Sequence, residues 1–446
     1  RKGILMIDAS RGFMKDGPKN RLREQDIHKI VDTFTKQLEI DRYSRLVPLS
    51  AISDAKNDFN LNLPRYVDAS EPEDLQDIDG HLRGGIPERD LDALGRYWEV
   101  LPGVRDALFK KAKRKGYADL RVAAADLKAT IFEHEEFAAW SAQTMKLFRK
   151  WRADTTTRLH GIQKGERPKV LIEEISEALL RRFERARLLD PYDVYQRLMD
   201  LWGETMQDDV YLVAADGWLG AAKPRPLVPV KDKNGKETWP EPEDFRIGKA
   251  RFKADLVPPA LLVARYFARE QAAIDKLESD AAGVAQELEE LVEEHAGDEG
   301  LLADARNDAD KITKAAATAR MKAIKHDDDA AEERALLKRY LDRVERESEL
   351  RANLKQAQEA LVEGFAAKYT KLTEDEVKGL VIDDKWLARL EATMQGELDR
   401  VSQALTARVR ELAQRYATPL PKLVDEVEAL SAKVDGHLRA MGAVWS

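Results

Sequence analysis

Residues 274–291 read IDKLESDAAGVAQELEEL. Ile274, Leu277, Ala281, Val284, Leu288 and Leu291 follow one another at steps of 3, 4, 3, 4 and 3, the heptad spacing of a helix whose apolar stripe meets a partner helix. A second seam, Leu350, Leu354, Ala357 and Leu361, lies in a helical stretch from about 330 to 367. Residues 295–329 between them are polar and contain Gly and Asp, which predicts the tip of a helical hairpin. Near the carboxyl end, Leu398, Val401, Leu405, Val409, Leu412 and Tyr416 form a third seam. Beyond Pro419 and Pro421 come Leu423, Val427, Leu430, Val434 and Met441. Such stripes either close an intramolecular bundle or are completed by another subunit.

Outward from these seams the chain reads as mainly α, with long helices in a coiled-coil-like hairpin or bundle. Pro87 to Leu101 predicts a helix stopped by Pro102-Gly103, and others are expected at 103–115, 122–127, 133–153 and 169–186. Asp190-Pro191 starts another, with Val194, Leu198, Leu201 and Trp202 on one face. Val210 to Val213 reads as a strand, and Leu227 to Val230 followed by Asn234-Gly235 reads as a hairpin, giving short β structure near 210–240. The amino end differs. Ile4 to Ile7, closing on Asp8, reads as a buried strand with no partner strand just downstream, and Arg23 to Phe34 carries Ile27, Ile30, Val31 and Phe34 at helical spacing. The organisation expected is a small α/β region at 1–70, a helical middle region at 71–260, a long helical hairpin at 261–367 and a carboxyl-terminal helical region at 368–446.

The 446 residues contain 35% charged side chains, a net charge of -8 and no cysteine. Disulfides, thiolate nucleophiles and thiolate metal sites are excluded. The longest apolar runs are too short to span a bilayer, so no membrane partner is expected and the location expected is cytoplasmic. No glycine-rich phosphate loop, nucleophile elbow or paired-histidine metal motif is present. His134 among Glu133, Glu135 and Glu136 reads as a solvated helix face. Asp208-Asp209 and Asp327-Asp328-Asp329 are runs that chance supplies in so acidic a chain, and no metal is expected. Val257-Pro258-Pro259-Ala260 reads as a helix entry.

Two basic stretches reverse the overall charge. One carries Arg105, Lys110, Lys111, Lys113, Arg114, Lys115 and Arg121. The other carries Arg149, Lys150, Arg152, Arg158, Lys164, Arg167 and Lys169, with Trp140, Phe148 and Trp151 interleaved. Phosphate contacts by such cations release counterions, so Lys110, Lys111, Lys113, Arg114, Lys115, Arg149, Lys150 and Arg152 are candidates for DNA contact. The competing reading is a solvated helix face with the tryptophans in the core.

Several phrases resemble one family. IDASRGFMKDGPKNRLREQDIHKIVDTF (7–34) is similar to the segment that closes the methyltransferase domain of type I restriction-modification M subunits. DPYDVYQRLMDLWGETMQDDVYLVAADGW (190–218) and FKADLVPPALLVARYFAREQAAIDKLE (252–278) resemble its central region. LTEDEVKGLVIDDKWLARL (372–390) and QRYATPLPKLVDEVEALSAKVDGHLRAMG (414–442) resemble its carboxyl-terminal region. The resemblance implies methyl transfer from S-adenosylmethionine to adenine N6 in DNA by the intact enzyme. It implies assembly with a specificity (S) subunit and, for restriction, a nuclease-translocase (R) subunit. The family's cofactor loop and its Asn/Asp-Pro-Pro-aromatic tetrapeptide precede, in family order, the segment where this sequence begins. The expectation is therefore a carboxyl-terminal piece with no catalytic or cofactor-binding residue of its own, inactive alone and binding no S-adenosylmethionine. The family's docking of carboxyl-terminal helices on the S subunit marks Leu398, Val401, Leu405, Leu412, Leu423, Val427, Leu430 and Val434 as docking candidates. The alternative is a coiled-coil scaffold or adaptor with no role in methylation.

Overall fold

A computed structural model describes residues 3–69, 75–231, 233, 237–297, 300–307 and 311–442. The chain is mainly helical with small sheets and divides into two compact units. The first comprises residues 1–162, 166–211 and 386–446, and the second 163–165 and 212–385.

In the first unit, β1 (Gly3–Ile7) pairs antiparallel with β2 (Ser44–Pro48), Gly3 opposite Pro48 and Ile7 opposite Ser44. The strand that lacked an adjacent partner in sequence thus finds one beyond α1 (Glu24–Lys36). Met6 and Val47 from the two strands pack with Ile52, Tyr66 and Val67. Then come α2 (Ile78–Arg83), β3 (Ile86–Pro87), α3 (Glu88–Asp92), α4 (Gly95–Trp98) and α5 (Pro102–Leu108). The hairpin β4 (Phe109–Lys111) and β5 (Tyr117–Leu120) follows. After it lie α6 (Leu127–Phe132), α7 (Glu135–His160), α8 (Pro168–Phe183) and α9 (Pro191–Leu201). The chain returns to this unit with α10 (Ala388–Arg415) and α11 (Leu420–Ala440).

Three predicted elements change type; the helix expected at 122–127 is a bend and turn leading into α6. The helix expected at 103–115 ends at Leu108, and residues 109–120 form the hairpin. Gly116, at φ +83°, supplies the left-handed turn residue that a helix could not use, while Phe109 and Ala118 are buried and Lys110, Lys111 and Asp119 are exposed. The strand expected at Val210 to Val213 is helical, within Gln207–Asp216. Trp202, Met206, Val210 and Val213 are buried while Tyr211 is exposed, a spacing of 4, 4 and 3 that fits a helix face. A short apolar run cannot be assigned by periodicity alone. The helix expected to run from Pro87 to Leu101 is broken into α3 and α4.

α1 is turned opposite to its apolar spacing. Its buried residues are Gln25, Asp26, Asp32 and Thr33, and it docks on α9 by polar contacts. The Gln25 backbone N–H donates to Gln196 Oε1 at 3.0 Å, Gln25 Nε2 donates to Asp193 Oδ1 at 2.9 Å, and Tyr192 Oη donates to Asp32 Oδ2 at 3.0 Å. The His28 ring stacks on Tyr195 with centroids 4.7 Å apart, and burial, reinforced by Glu24 and Glu177, pushes the Tyr195 hydroxyl up to about 12. Val31 and Phe34 stand 51% and 69% exposed.

The second unit is organised by helices Ala268–His295 and Ala331–Tyr369. They run antiparallel: Gln358 pairs with Glu278 at 3.0 Å and Arg343 with Glu287 at 2.6 Å. Ile274, Leu288 and Leu291 on one helix and Leu350 and Leu361 on the other are buried, so both seams close within the chain. The polar tip has its own core, in which Leu302, Ala305, Ala317 and Ile324 pack with Leu288, Leu337 and Tyr340. Val230–Lys231 pairs antiparallel with Glu237–Thr238. The Asn234-Gly235 turn expected between them lies outside the described residues.

Two outcomes follow from this packing. Leu398→Ala, at a fully buried position of α10, should cost about 2–5 kcal/mol in a denaturant titration. Leu430→Ala on exposed α11 should stay within about 0.5 kcal/mol. In the second unit, the Lys368 ammonium at 2.6 Å and the Thr373 backbone N–H lower the Glu376 carboxyl from 4.5 to about 2. A depressed carboxyl stabilises the fold above its unfolded value and loses that effect as pH falls through its folded value. Thermal melts of Glu376→Gln should therefore lose less stability than wild type between pH 4.5 and 2.

Candidate functional site

The first basic stretch is built on the β4–β5 hairpin. Lys110 and Lys111 stand on β4, an edge strand of the three-stranded sheet ordered β3-β5-β4. Lys113, Arg114 and Lys115 occupy the connection to β5. The hairpin is fixed by hydrogen bonds at both ends: the Ala112 N–H donates to the Tyr117 carbonyl at 3.0 Å and the Arg121 N–H to the Leu108 carbonyl at 2.9 Å.

Arg114 is a structural cation. It donates to Asp79 Oδ2 at 2.6 Å and to the Gly84 carbonyl at 2.7 Å, and its guanidinium lies 3.3 Å from the Tyr117 ring centroid. Below it, Asp77 caps α2 by accepting from the Gly80 N–H at 2.6 Å and from Tyr117 Oη at 2.8 Å. Those two donors hold its carboxyl below the usual carboxylate value. The Asp77 N–H donates in turn to Tyr416 Oη at 3.2 Å, and that hydroxyl donates to Asp90 Oδ2 at 3.0 Å. A Cβ on Gly80 would come within 2.9 Å of the Tyr416 ring, so only glycine permits this approach. Between Arg83, Gly85, Lys113, Tyr117 and Tyr416 lies a cleft of about 540 Å³.

The second stretch runs along α7. Trp140 and Trp151 are buried, their indole N–H groups donating to the carbonyls of Arg187 and Ile175 at 3.0 Å each. Arg152 pairs with Glu391 at 2.9 Å, and Arg158 with Glu166 and Glu174 at 2.9 and 2.7 Å. Of the eight DNA-contact candidates, Arg114 and Arg152 are therefore engaged within the fold. Lys110, Lys111, Lys113, Lys115, Arg149 and Lys150 are exposed and form no ion pair among the described residues.

The docking candidates divide in the same way. Leu398, Val401, Leu405 and Leu412 are buried in the first unit. That corrects their expected role as a free docking seam: α10 packs them against α6, α7 and α9. Leu423, Val427, Leu430 and Val434 lie on α11, which buries no residue; Val427 and Leu430 are 65% and 62% exposed.

Other singled-out residues are structural. His134 caps α7, its Nδ1 accepting from the Glu136 N–H at 3.2 Å, which corrects its reading as part of a solvated helix face. Asp209 is buried and accepts from Trp386 Nε1 at 2.8 Å. Pro259 opens the helix Pro259–Tyr266, as expected of a helix entry. Sequence reasoning missed the hairpin itself; Gly116 ahead of Tyr117-Ala118-Asp119-Leu120, a short alternating run, was the available signal. A cleft beside β2, lined by Glu39, Arg42, Arg45, Tyr66 and Asp68 among others, contains no glycine.

Residues 1–75 match the N-6 DNA Methylase family model. Over 83 residues the chain is 45% identical to the type I restriction enzyme MjaVII methylase subunit of Methanocaldococcus jannaschii, a match covering 18% of this chain and 14% of that protein. No solved structure matches.

Arg114→Ala should destabilise the protein by about 1–3 kcal/mol, because it leaves partly buried acceptors unpaired. Lys110→Ala should be neutral within about 0.5 kcal/mol in the same denaturant titration.

Proposed function

We propose, on these two matches, which support an M subunit of a type I restriction-modification system, that this chain is the assembly and DNA-contact part of such a subunit. The intact enzyme transfers a methyl group from S-adenosylmethionine to adenine N6 in DNA. This chain works as part of that enzyme: it is inactive alone and binds no S-adenosylmethionine. Its partners are the S subunit, the R subunit for restriction, and double-stranded DNA. Its location is the cytoplasm; among the described residues no helix is long and apolar enough to cross a membrane.

The observation that carries the assembly role is α11. Leu420, Leu423, Val427, Leu430 and Val434 make an apolar stripe over residues 420–434 of a helix that buries no residue. Exposed apolar surface of this kind is stabilised by burial against a partner, and a helix of the S subunit is the occupant this reading assigns. The uncovered face of α1, within the methylase-matched segment, is covered by the rest of the methylase domain.

The test is complex formation with the S subunit of the same system, followed by size-exclusion chromatography with light scattering. Val427→Asp together with Leu430→Asp should abolish the complex while leaving the melting temperature of the free chain unchanged. An intact complex with both charges in place would refute α11 as the docking helix.

A further inference from the structure

Residues 78–120 have a connectivity that their apolar spacing does not announce. A helix (α2) leads to a short strand (β3), then to helices α3 to α5, then to the hairpin β4–β5. The sheet order β3-β5-β4 places the first strand beside the last, and all pairs are antiparallel. This is the connectivity of a winged helix-turn-helix module: α5 stands where the recognition helix would lie, and residues 112–116 form the tip of the wing.

The two parts are treated differently by the rest of the fold. The amino end of α5 is closed. Glu136 of α7 accepts from the backbone N–H groups of Gly103 and Val104 at 2.7 and 3.3 Å, and a Cβ on Gly103 would sit 2.8 Å from its carboxylate. Val104 and Leu108 are fully buried. A helix whose amino end already holds a carboxylate repels a phosphate and cannot enter a groove with that end.

The wing is open. Residues 110–115 read Lys-Lys-Ala-Lys-Arg-Lys, with no acid among them, in a chain of net charge -8. Arg114 points into the fold and anchors the loop to α2, which leaves Lys110, Lys111, Lys113 and Lys115 exposed on a fixed scaffold. Lysine ammoniums are flexible point charges. They suit phosphate contact without a set geometry, unlike the planar fork of arginine that reads a base edge bidentately.

We propose that the β4–β5 hairpin is a basic wing that holds the sugar–phosphate backbone of duplex DNA through Lys110, Lys111, Lys113 and Lys115, without reading sequence. The choice of DNA rests on the function proposed above; the assignment to the wing, with α5 excluded, rests on the geometry. The wing keeps the duplex in place while base recognition is made elsewhere in the assembly.

The test is fluorescence anisotropy of the full chain with two labelled duplexes of unrelated sequence, titrated over a range of salt. Both duplexes should bind equally, with log K falling linearly against log salt concentration. Replacing the four lysines with glutamine should lower the salt slope by about 0.9 for each lysine in contact and weaken both duplexes alike. The melting temperature should not change, since these side chains form no ion pair among the described residues. If the glutamine variant binds as wild type while Arg149→Gln with Lys150→Gln loses the slope, the wing is overturned and DNA contact by the chain stands. If wild type binds neither duplex, both the wing and the DNA-contact reading fail. If polyglutamate binds the wing as tightly as duplex DNA at the same salt, an acidic protein replaces DNA as the partner and the proposal falls.

Discussion

The first unit depends on the burial of one helix. α10 carries Leu390, Met394, Leu398, Val401, Leu405, Val409 and Leu412 into a core walled by α6, α7 and α9. Each such side chain contributes about 1.5–3 kcal/mol on burial, set against the cost of joining segments far apart in sequence. The polar rim follows the same helix: Glu397 is buried and pairs with Arg197 at 3.2 Å and with Arg400 at 2.8 Å, and Arg400 also reaches Asp193. Where α10 ends, Tyr416 ties the chain to Asp77 and Asp90. Asp77 in turn holds Tyr117, so the base of the basic hairpin rests on the end of α10. The exposed lysines of the hairpin are thereby carried on a base tied to a well-packed helix.

Polar contacts organise α1 in a way that apolar contacts would not. Gln25, His28 and Asp32 meet Gln196, Tyr195 and Tyr192 across the α1–α9 junction, while Ile27, Val31 and Phe34 face away. Directional hydrogen bonds fix the docking angle, and the apolar side is left exposed. α11 repeats this division. Its stripe has the same spacing as that of α10, yet one is core and the other surface.

Much of the fold was legible in the residues. The heptad seams at 274–291 and 350–361 mark the two helices that do pair, because each buried position recurs with the period of the helix that carries it. Trp140 and Trp151 belong to the core, which was the competing reading of the second basic stretch. The resemblance of 7–34 to an M-subunit segment lies inside the region that matches the N-6 DNA Methylase family. The hairpin at 109–120 was masked, because lysine and arginine favour helix and the short run after Gly116 is too brief to outweigh them.

What the sequence determined by itself is the amphipathic period of each long helix and the local surplus of positive charge, since both are properties of neighbours along the chain. It could not say which stripe is buried or which cation is free, because that is settled by what arrives from elsewhere in the chain. Leu405 and Leu430 have equivalent sequence surroundings, and only the packing of α6, α7 and α9 separates core from exposed face. Arg114 and Lys113 are adjacent, and only Asp79 and Gly84 make the first an anchor and leave the second open to a partner.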